Sequence, residues 1–320
     1  MLTKVAKPAA GRIASTTVSE RARLVELLMR LAPQEGFTAS ALEGVTLMRA
    51  NRPLDATPVL YEPCLCILVQ GRKRAFACDD VHTYDAQHYL VAAVPLPFVS
   101  VTEASAAEPM LGLTVRIDPL ATAQIALAID ARAPRAPRDA PKPLFASPMD
   151  APFAASVLRL AEALASPLDA AILGPALLRE LYFRALTGQQ GDALRATLAQ
   201  GGHFGRIARA LHHIHRDYAA PLDVDTLAAD ASMSVPAFHA HFKRMTATTP
   251  IQYVKATRLH HARLLMVRSG MTAASAAATV GYESASQFSR EFKRFFGRTP
   301  TDEAAAMKDA LVLHARAAAV

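Results

Sequence analysis

The sequence predicts an α+β chain of two domains, an N-terminal antiparallel β sandwich or barrel with helices and an all-α C-terminal unit. Three observations predict it. Short apolar runs broken by turn residues occupy residues 45–117, two apolar-periodic helical segments follow, and everything beyond Gly201-Gly202 is helical in pattern and repeats internally. At 320 residues the chain is about twice the usual single-domain length.

In chain order, residues 1–18 read as a loose tail, and Ser19 is placed to cap a helix over Glu20–Leu31 with Leu24, Leu27, Leu28 and Leu31 on one face. Strands are expected at Val45–Met48, Cys64–Val69, Arg74–Ala77, His82–Tyr84, Tyr89–Val94, Phe98–Val101 and Leu111–Ile117, with Gln70-Gly71-Arg72 and Cys78-Asp79-Asp80 as connections. The Pro- and Arg-containing stretch Ala131–Pro143 interrupts the order. Helices follow at Ala151–Ala165 and Ala170–Leu186, so the first domain is read as 19–190 and a linker as 191–204. The helical domain spans 205–305, and 306–320 is a second tail.

The repeat is the strongest signal. Phe238-His-Ala-His-Phe242-Lys243-Arg244 returns as Phe288-Ser-Arg-Glu-Phe292-Lys293-Arg294, with Thr249-Pro250 returning as Thr299-Pro300. Each copy reads as helix, tight turn and helix, the units covering about 224–245 and 273–296. Val224, Leu227, Ala228 and Ala231 form the apolar face of the first; Ala273, Ala277 and Val280 form that of the second, which turns at Gly281. Ser234 and Ser284 are placed as caps. Phe238 and Phe242, like Phe288 and Phe292, are four apart and face inward, leaving a polar face outward. Such pairs are helix-turn-helix units. Between them Ile251–Arg268 is one long helix, with Tyr253, Leu259, Ala262 and Leu265 inward and Arg258, Arg263 and Arg268 outward.

Charge agrees with this division. Of a net +7, the segment Gly205–Val320 holds 15 Lys+Arg against 9 Asp+Glu, and 8 of the 11 histidines. A localised basic excess points to a polyanionic partner.

Two such units on a connecting helix resemble the AraC/XylS family of bacterial transcription regulators. The resemblance rests on Leu227-Ala228, Met233-Ser234, Phe238, Phe242-Lys243, Pro250, Tyr253, Arg258-Leu259, Ala262 and Leu265. It continues through Ala277, Val280-Gly281-Tyr282, Phe288-Ser289-Arg290, Phe292-Lys293, Phe296-Gly297 and Thr299-Pro300. Tyr61-Glu62-Pro63, Leu65-Cys66-Ile67, Gln70–Lys73 and Tyr89-Leu90-Val91 resemble the cupin-like N-terminal domain of one branch. The family implies that each second helix enters a major groove of double-stranded DNA, the grooves lying one turn apart. Carried over by position, the interface is Ser234, Pro236, Ala237, His239, Ala240 and Lys243 in the first unit. In the second it is Ser284, Ser286, Gln287, Arg290, Lys293 and Arg294. Gln287 and Arg290 suit base edges; Lys293 and Arg294 suit phosphates. The first unit departs from pattern, with Ala240 where a basic residue is usual, and Ala247 replaces the glycine that Gly297 supplies in the second. The resemblance further implies an activator that answers a small molecule or redox signal, with RNA polymerase, an effector and a second copy of the chain, in a homodimer, as partners; three cysteines without C-x-x-C or metal-type spacing point to a reducing cytoplasm.

Other function classes find less support. No uncharged run reaches a membrane span, the longest being Ala86–Thr102 with Pro95 and Pro97 inside it. No cofactor or phosphate-cradling motif occurs, and His82 and His88 lack the H-x-H pattern of a metal-binding cupin. His212, His213, His215 and the His260-His261 pair have no metal-type spacing and read as solvated or phosphate-facing. A metal-dependent cupin enzyme and a non-specific architectural DNA binder stay open as alternatives. Cys64 and Cys66 share a strand face, with Cys78 on the next hairpin arm; they read as core filler or, beside Arg72, Lys73 and Arg74, as effector-sensing thiols.

Overall fold

One central strand explains the layering of the N-terminal domain. In β4 (Cys64–Gln70), Leu65, Ile67 and Val69 point to one face and Cys64, Cys66 and Leu68 to the other, and all six are buried. A strand buried on both faces needs a covering layer on each side. The computed structural model describes residues 18–77, 80–132, 141–198 and 202–306, and both layers lie within them.

The other strands are β1 (Gly36–Ala39), β2 (Val45–Ala50), β3 (Leu54–Tyr61), β5 (Arg72–Ala77), β6 (Asp80–Asp85), β7 (His88–Ala92), β8 (Leu96–Glu103), β9 (Met110–Arg116) and β10 (Leu144–Pro148). They pair antiparallel in one sheet of order β1-β2-β9-β4-β7-β6-β5-β8-β3, with β10 added against β7. Met48 of β2 and Val59 of β3 lie near opposite ends of that path yet pack into one cluster with Cys66, Tyr84, Leu90 and Phe98, so the sheet curls into a half-barrel. Its other face is covered by α1 (Val18–Leu31), α2 (Pro119–Arg132), α3 (Ala151–Leu164), α4 (Pro167–Thr187) and α5 (Gly191–Leu198). Leu24 and Leu28 of α1 and Phe153, Val157 and Leu160 of α3 sit in that layer.

The seven expected strands and the three N-terminal-domain helices occur, with shifted ends. Helix α1 begins at Val18, so Ser19 lies inside its first turn and not at a cap. Strands β1, β3 and β10 and helix α2 were not expected, and Ala131-Arg132 close α2 instead of opening a loop. The segment 191–204, expected as a linker, holds α5 and the start of α6 (Gly202–Asp217). Cys78 and residues 1–17, 133–140, 199–201 and 307–320 lie outside the described residues.

Helices α7 (Val224–Asp230), α8 (Val235–Thr246), α9 (Pro250–Arg268), α10 (Ala273–Thr279) and α11 (Ala285–Phe296) follow, and residues 300–306 are helical as well. They build two small cores. The first gathers Ile207, Leu211, Leu227, Phe238 and Phe242; the second gathers Ala276, Ala277, Val280, Phe288 and Phe292. Helix α9 serves both, giving Tyr253 and Val254 to the first and Leu259, Ala262 and Met266 to the second.

Candidate nucleic-acid interface

The two turns are built alike. Met233 N donates to Ala228 O and Tyr282 N to Ala277 O, both at 2.9 Å, closing each first helix over a residue of positive φ. That residue is Ser232 (φ 51°) in the first turn and Gly281 (φ 83°) in the second. An arginine from outside the pair then holds each turn: Arg206 donates to Ser232 O at 3.1 Å and Arg258 to Gly281 O at 3.0 Å.

The second helices start differently. Ser284 caps α11, its hydroxyl accepting from Gln287 N at 3.3 Å. Ser234 occupies the cap position of α8 with extended backbone, but its hydroxyl makes no capping bond, contrary to the expectation. Pro236 falls in the first turn of α8, where no amide hydrogen is missed.

Both helices turn their aromatic pairs inward, since Phe238, Phe242, Phe288 and Phe292 are fully buried. In α11 the opposite face exposes Ser286, Gln287, Arg290, Lys293 and Arg294, just past the exposed cap Ser284. In α8 Pro236, Ala240 and Lys243 are exposed beside the cap position Ser234, and Ala237 and His239 are half-buried. All twelve expected interface positions thus lie on the two second helices or at their starts. The exposed faces differ in chemistry: guanidinium, amide and ammonium groups on α11, mostly small or apolar groups on α8.

Sequence reasoning missed Glu291. It stands on α11 among the basic groups and accepts from Lys255 Nζ at 2.8 Å, Tyr282 OH at 2.8 Å and Gln287 Nε2 at 3.3 Å. Partial burial would raise its carboxyl, but these bonds together hold it below the usual carboxylate range. Glu291 therefore fixes α11 to α9 and orients Gln287, whose amide carbonyl oxygen is left for a partner. On α8, His241 stacks on His203 of α6 with centroids 4.1 Å apart, and Arg244 donates to its Nδ1.

Two arginines of α9 expected outside are engaged. Arg258 donates Nε to Tyr218 O at 2.7 Å and Nη2 to Ala220 O at 2.8 Å, besides Gly281. Arg263 is buried, donates to Pro58 O of β3 at 2.9 Å, and lies 4.6 Å from the Phe296 ring centroid. Both residues meet elements distant in sequence, which helical periodicity does not reveal. The Arg268 side chain lies outside the described residues.

The histidines expected at the surface mostly face protein. Tyr253 OH donates to Pro95 O at 2.6 Å and meets His215 Nε2 at 2.8 Å. One hydroxyl has one proton, so His215 donates to it. His215 Nδ1 then faces Glu62 at 3.3 Å. Contact with His215 holds the Glu62 carboxyl below its usual range. His260 packs edge-on against Phe295 and Phe296, and burial pushes its imidazole well below the ordinary range. The helical C-terminal half and the barrel are therefore joined through Glu62–His215, Pro95–Tyr253 and Pro58–Arg263.

Within the barrel, Cys64 and Cys66 are buried and burial pushes both thiols up. Lys73 lies inside too and donates to Tyr61 OH at 3.1 Å, whereas Arg72 and Arg74 point out to Glu103. A sensing thiolate needs exposure and a depressed pKa, and neither cysteine has them. Among the described residues no His, Cys, Asp or Glu cluster is placed to hold a metal ion, and no helix is long and apolar enough to cross a membrane.

Known proteins match the chain in two blocks. Residues 41–193 match the family described as AraC-type transcriptional regulator N-terminus, and residues 227–305 match a helix-turn-helix domain family. Among curated relatives, the regulator AlkR of Acinetobacter baylyi is 34% identical over 94 residues, 29% of this chain and 31% of that protein. The activator RhaS of Escherichia coli is 29% identical over 97 residues, covering 30% and 35%. The chain spans about a third of the length of these relatives. Unsaturated fatty acid-bound ToxT from Vibrio cholerae superposes with a TM-score of 0.60 at 12% identity, covering 81% of this chain and 94% of that one. That likeness is one of fold.

Proposed function

The chain belongs to the AraC family of transcription regulators, and from that membership we propose that it is a sequence-specific DNA-binding activator of the cytoplasm that responds to a small molecule. The observation that carries this reading is the pair of helix-turn-helix units fixed to one helix, each presenting the outward face of its second helix. Two successive major grooves of double-stranded DNA would receive α8 and α11. Arg290 and the free oxygen of Gln287 suit guanine and adenine edges, while Lys293, Arg294 and Lys243 suit phosphates. At the start of α8 the small and apolar groups Pro236, Ala237 and Ala240 suit thymine methyls and DNA shape. The barrel domain would receive the effector, with reversible binding favoured over thiol oxidation because Cys64 and Cys66 are buried. RNA polymerase and a second copy of the chain complete the partners, and no catalytic role or cofactor is assigned.

Selection from random duplexes tests the reading, followed by competition with unselected DNA at fixed salt. The expected result is a defined site bound at least about a thousandfold tighter than random sequence. Equal affinity for both would instead mean an architectural binder, and turnover by the metal-loaded chain would mean an enzyme.

A further inference from the structure

The polar side of α11 is not uniformly basic, because Glu291 stands among its cations. Both of its carboxylate oxygens are taken. Oε1 accepts from Lys255 Nζ at 2.8 Å and from Gln287 Nε2 at 3.3 Å, and Oε2 accepts from the Tyr282 hydroxyl at 2.8 Å. Only 12% of the Glu291 side chain is exposed, whereas Gln287, one turn earlier on the same side of the helix, lies in solvent. Towards a polyanion a carboxylate adds only repulsion, so whatever Glu291 gains there comes through its neighbours.

A glutamine amide can present either end to a base. With its carbonyl outward it accepts, which suits the adenine N6 or cytosine N4 amino group; with its amino end outward it donates, which suits guanine O6 and N7 or thymine O4. A glutamine free to turn over therefore separates these bases poorly. An ionised carboxylate has no proton to give, so it bonds the amino end and repels the carbonyl. Glu291 thus holds Gln287 with Oε1 outward and one Nε2 hydrogen unused beside it. An acceptor next to a donor matches the N6 and N7 edge of adenine. Lys255 and Tyr282 hold the carboxylate in turn, from α9 and from the turn before α11. The repeat supplies a comparison within the chain. At the spacing of 50 residues that relates Phe238 to Phe288, Gln287 and Glu291 correspond to Ala237 and His241, so the first unit has neither the amide nor the acid.

We propose that Glu291 is a specificity-determining residue of the second helix-turn-helix unit: without touching DNA, it locks the Gln287 amide in the one orientation that reads adenine and rejects guanine and thymine. The proposal rests on the reading of α11 as a helix that enters a major groove, and adds to it a positioning residue that acts through Gln287.

Affinities of the full chain for its selected site, and for duplexes carrying each of the other three base pairs at every position, test the lock, with circular dichroism to establish folding. In the wild type one position should favour adenine over guanine and thymine by about tenfold or more, and Gln287→Ala should abolish that preference. Glu291→Gln keeps the shape but can donate to Gln287 Oε1, so the amide can turn over. The adenine preference at that position should then fall to about twofold or less, with guanine or thymine gaining, and in the Gln287→Ala background the same change should alter no base preference. Glu291→Ala, which leaves the amide free, should flatten the same position and keeps the test decisive should Glu291→Gln fail to fold. An adenine preference that survives the Glu291 variants, with affinity for all four base pairs lowered alike or not at all, overturns the lock and makes Glu291 a purely structural residue. A Gln287→Ala variant that keeps every preference also overturns it and leaves the regulator standing. A wild type that selects no site overturns both the lock and the reading beneath it.

Discussion

Arg258 donates from Nη1 to the Gly281 carbonyl at 3.0 Å, so the helix joining the two helix-turn-helix units also fastens the turn of the second. The rest of its guanidinium holds the chain just after α6, at Tyr218 and Ala220. Gly281 has φ 83°, and a Cβ added there would stand 2.2 Å from Ala219 O, so the turn and that segment touch without a side chain between them. One planar donor thereby sets how the second unit sits against the first. Arg258→Ala is expected to cost about 2 kcal/mol or more in denaturant unfolding, since three carbonyls lose a charged donor. It should also broaden tolerance for the distance between half-sites, read by titrating operators with one base pair inserted or removed. Arg258→Lys, with a point charge in place of the fork, should restore stability only in part.

Arg290 and Lys293 stand on the same exposed face of α11 with different expected roles. Arg290→Ala should cost about 1–3 kcal/mol on the selected site and relax preference at one base position. Lys293→Ala should weaken all sequences alike and lower the salt slope by about one unit. Equal losses on selected and random DNA would remove Arg290 from the base readers.

Ala247 ends α8 at φ 57°, where Gly297 ends α11 at φ 78°. An L-residue in this left-handed region costs about 1–2 kcal/mol, partly offset by the chain entropy that glycine loses on folding. Ala247→Gly should therefore stabilise the chain by about 0.5–1 kcal/mol, and Gly297→Ala should destabilise it by a similar amount. Thermal unfolding of both variants checks the pair, and a destabilised Ala247→Gly would contradict the account.

His260 gives the fold an acid-sensitive point. Its Nε2 is buried without a hydrogen-bond partner among the described residues, beside Arg263, His261 and His215, and burial favours the neutral ring. The unfolded chain takes up a proton there below pH of about 6.5 and the folded chain does not, so stability falls as pH drops from 7 towards 5. The slope from this one group is at most about 1.4 kcal/mol per pH unit. His260→Phe should flatten the acid limb of a pH–melting profile and leave the region above pH 7 unchanged. His212 and His261, also depressed by burial, should keep part of the slope.

The helical domain was readable because its determinants are local. Phe238 and Phe242 fix which side of α8 faces in, and Gly281 marks its turn unaided. The sheet was readable where apolar residues run together, as in β4, and obscure where they do not. Strand β3 contains Asp55 and Pro58, and it tolerates the proline because it pairs on one side only, with β8. Helix α2 lacks a polar stripe that would give it a period, because its outward row includes Leu120 and Leu127. Arg258, Arg263 and His215 were misplaced for one reason: periodicity shows which side a residue takes but not which distant element comes to meet it. Glu291 was passed over because its partners Lys255 and Tyr282 lie on α9 and in the turn before α11.

Strand β3 and the residue after it touch three regions within five positions. Pro58 is held by Arg263 of α9, Tyr61 is held by Lys73 inside the barrel, and Glu62 meets His215 of α6. A ligand that competes for the Lys73–Tyr61 bond would thus act on the segment that carries both contacts to the helical half. Thermodynamic linkage makes such an arrangement symmetrical: whatever factor the ligand applies to operator affinity, operator applies to ligand affinity. Promoter occupancy would then set the effector concentration at which the protein responds, so sites of different strength would answer the same signal at different thresholds.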